Sequence, residues 1–146
     1  MTKNDKIKFL DNIAIADTAF QIKGNSIKEV FENAAKALTM SMASPDCIED
    51  KVKVNITLQN KKLDILLFDF LNEIIFYKDS DNLLFGKYNV GIEKSNGMFE
   101  LKAKLEGEKA DSKKHKITTD VKAVTLHMFK LGKKNGVFEA RVVVDI

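Results

Sequence analysis

The chain has one cysteine, one proline and no tryptophan. A lone Cys47 excludes an internal disulfide and leaves no second thiolate for a zinc pair. It follows Pro45 and Asp46 and reads as a bystander thiol. The single proline marks one loop and no domain boundary. Histidine is scarce too, with only His115 and His127. The sequence contains no nucleophile elbow, P-loop, GxGxxG or HExxH pattern. Its longest apolar run, "ILLFDFLNEIIF", is broken by Asp69, Asn72 and Glu73, and is too short and too polar to span a bilayer. The N-terminal "MTKNDKIKF" lacks the apolar core of a secretory signal. Charge of one sign is also missing. The 24 basic and 21 acidic residues leave a net charge of +3, too balanced to imply a nucleic-acid binder on charge alone. These absences together predict a soluble cytoplasmic protein, without a membrane partner, in a reducing compartment.

What is present suits one globular domain over residues 1–146, with 45% hydrophobic and 31% charged residues. A chain this long buries roughly two thirds of its unfolded surface, so it needs neither disulfide nor structural metal. Ile7 to Leu10 reads as a short strand, and "IAIADTAFQIKG" as a second extended stretch ended by Gly24-Asn25. Ser26 with Glu29 has the spacing of a capping box. Ile27, Val30, Phe31, Ala34, Leu38 and Met42 then recur at helical spacing up to Ser44-Pro45. "VKVNITL" alternates as a half-buried strand. A largely buried second helix is expected from about Leu63 to Tyr77. Strands are expected at about 83–94, 98–106, 117–131 (with room for one break) and 136–146, with Gly97, Gly107 and Gly136 supplying turns. Two helices followed by a run of strands predict an α+β domain, mainly an antiparallel sheet with the helices packed on it.

Chemistry-bearing residues are few. His115, in "DSKKHK", reads as a solvated loop residue, and His127, in "AVTLHMF", as a packed, hydrogen-bonded strand residue. The basic stretches at 60–62, 109–116 and 130–134 read as solvated loops, or as a patch for an acidic or RNA-bearing partner. No aromatics interleave with those lysines, so base stacking is not supported. Asp17 interrupts an apolar extended run, and Asp145 ends the last strand beside Ile146. Two readings stay open for these acids. They are separate surface residues, or they meet and form, with the carboxylate of Ile146, an all-oxygen cluster suited to Ca²⁺, Mg²⁺ or Mn²⁺.

Four stretches together carry a resemblance. "ADTAFQIKGNSIKEVFENAAKAL", "LLFDFLNEIIFYKDSDNLLF", "GEKADSKKHKITTDVKAVTLHMFKL" and "ARVVVDI" resemble, in order, segments of the archease family from about Phe9 to Ile146. The resemblance implies the archease fold and a protein that is not itself an enzyme. It implies a cofactor that activates the GTP-dependent tRNA-splicing ligase. That ligase joins 3′-phosphate (or cyclic phosphate) to 5′-hydroxyl RNA ends, and archeases promote its guanylylation and repeated turnover. RNA would be met only indirectly, through the ligase. The resemblance also implies a divalent cation, calcium foremost, held by Asp17, Asp145 and the carboxylate of Ile146, and a functional role for Lys122 beside Asp145. One departure stands out: where the family has His-Thr-Ala-Asp, this chain has Ala14-Ile15-Ala16-Asp17. A chaperone or modulator of a tRNA-modifying enzyme, such as a methyltransferase, is the alternative. A metal-dependent phosphoesterase is a more distant one, because no base accompanies the acids.

Overall fold

A computed structural model describes residues 6–10 and 17–146. The order of elements is β1 (Ile7–Leu10), β2 (Asp17–Gly24), α1 (Ile27–Met40), β3 (Val52–Asn60), α2 (Leu63–Asp81), β4 (Leu83–Ser95), β5 (Met98–Lys109), β6 (Ala123–Lys134) and β7 (Val137–Asp145). The expected α+β domain is present, and its strands divide into two antiparallel sheets, ordered β1-β2-β7-β6 and β3-β5-β4. Each helix packs against both sheets, so the core lies where helices and sheets meet. The first half of the expected second strand, including Ile13 and Ile15, lies outside the described residues. Among the described residues no helix is long and apolar enough to cross a membrane.

Local chemistry explains most of the elements. Ser26 has extended backbone, and its Oγ accepts from the Glu29 N–H at 3.1 Å. Glu29 reaches back to the Asn25 N–H at 3.2 Å, so the capping box closes one residue earlier than its usual form. Val30, Phe31, Ala34, Ala35 and Leu38 form the buried face of α1. Phe31 meets Phe70 of α2 with ring centroids 6.0 Å apart. Truncating either ring to alanine would cost about 3–5 kcal/mol. The helix stops at Met40, four residues before Ser44, and Pro45 instead opens a 3₁₀ turn, Pro45–Cys47, in which Cys47 is half-buried.

The second helix runs past Tyr77 to Asp81. "KDSD" contains no glycine or proline to break it, and Asn82, with φ 56°, supplies the left-handed cap. Leu66, Leu67, Phe70, Leu71, Ile74 and Ile75 are buried, while Phe76 is 56% exposed. Asn96-Gly97 and Asn135-Gly136, all with positive φ, make the two-residue turns of the β4–β5 and β6–β7 hairpins. Gly107 is no turn. It lies inside β5 opposite Phe85 at an irregularity of β4, where a Cβ would come within 1.8 Å of the Leu84 carbonyl oxygen. Only glycine allows β4 to approach this closely.

The expected strand at 117–131 begins only at Ala123. Residues 126–129 then leave the ladder opposite the single residue Val142, and Met128 takes φ 56°. This bulge breaks the alternation that would have turned His127 inward. His127 is exposed, and so are Leu126 and Met128.

Candidate functional site

The register of the first sheet follows from burial. Phe20 and Ile22 of β2 pair with Val142 and Ala140 of β7, and all four side chains are buried. A one-residue slip would turn this apolar set outward, so the register is strongly specified. It sets Asp17 directly opposite Asp145. Cross-strand partners share a face, with Cβ atoms about 4.5–5.5 Å apart. Both carboxylates are half-buried, and among the described residues no cationic side chain lies within ion-pair distance of either.

Lys122 reaches the same place through its backbone. Its N–H donates to the Asp145 carbonyl at 2.8 Å, while its side chain is exposed. Val121, fully buried, anchors the chain just before it. Asn72 of α2 fastens the start of β6: its Oδ1 accepts from the Val124 N–H at 3.2 Å and its Nδ2 donates to the Phe68 carbonyl at 3.2 Å. Ile146 packs its side chain against the core beside Asp145. The structure thus brings Asp17, Asp145 and Lys122 to one end of the first sheet, with Ile146 next in the chain.

The donor set fits a hard divalent cation in kind. Two facing carboxylates repel without a positive charge between them, and oxygen-only ligands favour calcium or magnesium over zinc. Among the described residues no three His, Cys, Asp or Glu side chains group as metal ligands. Asp17 and Asp145 are therefore the two carboxylates that this end of the sheet offers among the described residues. Ala14 and Ile15, where the family has His and Thr, lie outside the described residues.

The segment 110–122, which delivers Lys122, is held by a second polar centre. His115 is fully buried, not solvated as its sequence neighbours predict. Its Nδ1 accepts from the Asp111 N–H at 2.9 Å, so the ring is neutral and its Nε2–H donates to Glu108 Oε2 at 2.9 Å. Its carbonyl accepts from Ser44 N–H, and Thr118 N–H donates to the Met42 carbonyl, tying the segment to the end of α1. Glu108 also accepts from the Glu49 N–H at 2.7 Å and from Lys114 Nζ at 2.9 Å. The Glu49 backbone bond, then His115, then Lys114 hold its carboxyl at a pKa of about 2. Asp111 is held below its ordinary value by the backbone N–H groups of Lys114 and Lys113. Lys114 is thus no free solvated lysine, since it also pairs with Glu49.

Sequence reasoning singled out Asp17, Asp145, Ile146 and Lys122, and through the resemblance marked the Gly107-Glu108, Asp111 and His115 stretch as a partner contact. It missed the positioning role of Glu108 and His115, and it missed Asn72 altogether. A polar residue interrupting an apolar helix was the available signal for Asn72.

Residues 8–146 match the model of the archease protein family. The chain is 38% identical to the protein archease of Sulfolobus acidocaldarius, over 97% of this chain and 99% of that one. It is 36% identical to the protein archease of Pyrococcus furiosus, over 90% and 93%. The solution structure of Methanobacterium thermoautotrophicum protein 1598 superposes with a TM-score of 0.85 at 31% identity, covering 97% of this chain and 99% of that one. A crystal structure from Thermotoga maritima, described as an archease and possible chaperone, shares the fold with a TM-score of 0.62 at 22% identity, over 94% and 97%. A family match over nearly the whole length, relatives this similar and a shared two-sheet fold lead to one assignment: the chain belongs to the archease family.

Proposed function

We propose that this chain is a protein cofactor of the GTP-dependent tRNA-splicing ligase, promoting guanylylation of the ligase histidine and its repeated turnover. The observation that carries the reading is the pairing of Asp17 with Asp145 across the β2–β7 ladder, with the Lys122 backbone bonded to Asp145. Asp17, Asp145 and the Ile146 carboxylate would hold a divalent cation, calcium foremost. When bound, it would offset two of their three negative charges and supply coordination positions for phosphate oxygens. The chain's own residues do the rest. Val121 and Asn72 fix the β6 entry, Phe20, Ile22, Ala140 and Val142 fix the register, and the Lys122 ammonium faces the partner.

The test is ligation under multiple turnover by the cognate ligase with GTP. Asp145→Ala should abolish stimulation, and Lys122→Ala should weaken it about tenfold or more. Full stimulation by Asp145→Ala would sink the reading. One residue appended after Ile146 should weaken calcium binding, and normal binding would remove that carboxylate from the ligand set. The alternative, a chaperone for a tRNA-modifying enzyme, would be favoured by co-purification of a methyltransferase and no ligase.

A further inference from the structure

The sheet face that carries Asp17 and Asp145 has a second feature farther along. Gln21 pairs with Arg141, and Arg141 with Lys130; in the next rows Glu139 pairs with Gly132, and Lys134 with Val137. All of these but Val137, with Lys133 and Ala140, line a trough of about 140 Å³. Gly132 leaves its floor bare, because a Cβ there would meet nothing within 4 Å. Among the described residues no carboxylate lies within ion-pair distance of Lys130, Lys133, Lys134 or Arg141. The one acid present, Glu139, is matched by Lys23 at 3.7 Å. Arg141 is oriented by its Nε–H bond to the Met128 carbonyl at 3.1 Å, so the β6 bulge aims its guanidinium.

From this geometry we infer that the trough binds the phosphodiester backbone of a single-stranded nucleic acid, independently of sequence. Three cations without a carboxylate partner among the described residues, Lys130, Lys134 and Arg141, lie along two adjacent strands and suit a polyanion, while Lys133 holds its Nζ over the Phe138 ring at 5.1 Å. A protein-docking surface would need an apolar centre, and the only apolar side chain in the lining is Ala140. No aromatic side chain lines it, so bases are not stacked and the backbone alone is read. Arg141 stands four residues from Asp145 on the same strand face, about 13 Å away. A strand laid in the trough therefore brings one end towards the Asp17–Asp145 tip. The choice of RNA as the strand rests on the proposed ligase role.

Fluorescence anisotropy with a labelled 20-nucleotide RNA ending in a 3′-phosphate tests this across a series of KCl concentrations. Wild type should bind, more weakly as salt rises. K130Q/K134Q should bind about tenfold more weakly, with a salt slope reduced by about 1.4, the value for two lost single-strand phosphate contacts. K61Q/K62Q, remote on the other basic loop, should stay within about twofold of wild type. Unchanged binding by K130Q/K134Q, equal weakening by K61Q/K62Q, or tighter binding of an acidic polypeptide than of RNA would each overturn the inference. Asp145→Ala separates the two readings. It should lose ligase stimulation. If it still stimulates, the ligase role fails while the trough stands.

Discussion

Two acidic centres of this molecule answer the same problem in opposite ways. Glu108 is nearly inaccessible and surrounded by donors: a backbone N–H, a lysine and a neutral histidine. Asp17 and Asp145 face each other half-buried, with no protein cation at ion-pair distance among the described residues. A carboxylate whose lone pairs are all used is a fastening. A carboxylate pair left facing its own charge is a place where something positive is missing. The contrast separates acids with protein partners from acids without them, and the proposed role rests on the second kind.

Breaking the fastening should have the largest effect on stability. His115→Ala removes a buried ring and leaves Glu108 and the Asp111 N–H each one partner short. Urea unfolding should show a loss of about 2–4 kcal/mol. A loss under about 1 kcal/mol would mean the pair fastens nothing. Calcium should act at the other centre. At a hundredfold excess over its dissociation constant it should stabilise wild type by about 2.7 kcal/mol and leave Asp17→Asn unchanged. Equal stabilisation of both would place the ion elsewhere.

Acid sharpens the contrast further. The Glu108 carboxyl is depressed from 4.5 to about 2, so the stability it contributes is fully present above pH 4.5 and lost as pH falls towards 2. Acid unfolding monitored over that window should be steeper in wild type than in a Glu108→Ala variant. Identical curves would refute the role given to Glu108. The smallest effect is the most diagnostic: without calcium, Asp145→Asn relieves a cross-strand repulsion and should raise stability by about 0.2–1 kcal/mol. A loss of stability instead would mean that Asp145 has a protein partner.

How far the sequence reached can be argued residue by residue. Ser26 with Glu29, and the two Asn-Gly turns, are local chemistry, and their places along the chain were legible from spacing alone. The helices and most strands followed from periodicity. The ends of α1 and α2 did not, because where α1 ends, at Met40, and where α2 is capped, at Asn82, depend on what the chain must reach next. The two histidines changed places relative to expectation. His115 stands among lysines and aspartate, yet its segment folds over the end of α1 and buries the ring. His127 stands in an apolar strand, yet a bulge turns it out. Neither outcome is local. The meeting of Asp17 with Asp145 was likewise only one of two open readings in the residues, and the ladder sets the two face to face.

That pairing has a consequence for how the site comes into being. β7 lies between β2 and β6 in the first sheet, so the sheet is not continuous until the last strand inserts. The two acids lie at opposite ends of the sequence, and closing such a long loop is slow relative to local hairpins. During synthesis the tip therefore stays unassembled until β7 has followed β2 out of the ribosome. A product that stops short of β7 lacks a central strand of the sheet as well as Asp145, so it should be silent and unable to compete with chains that carry β7.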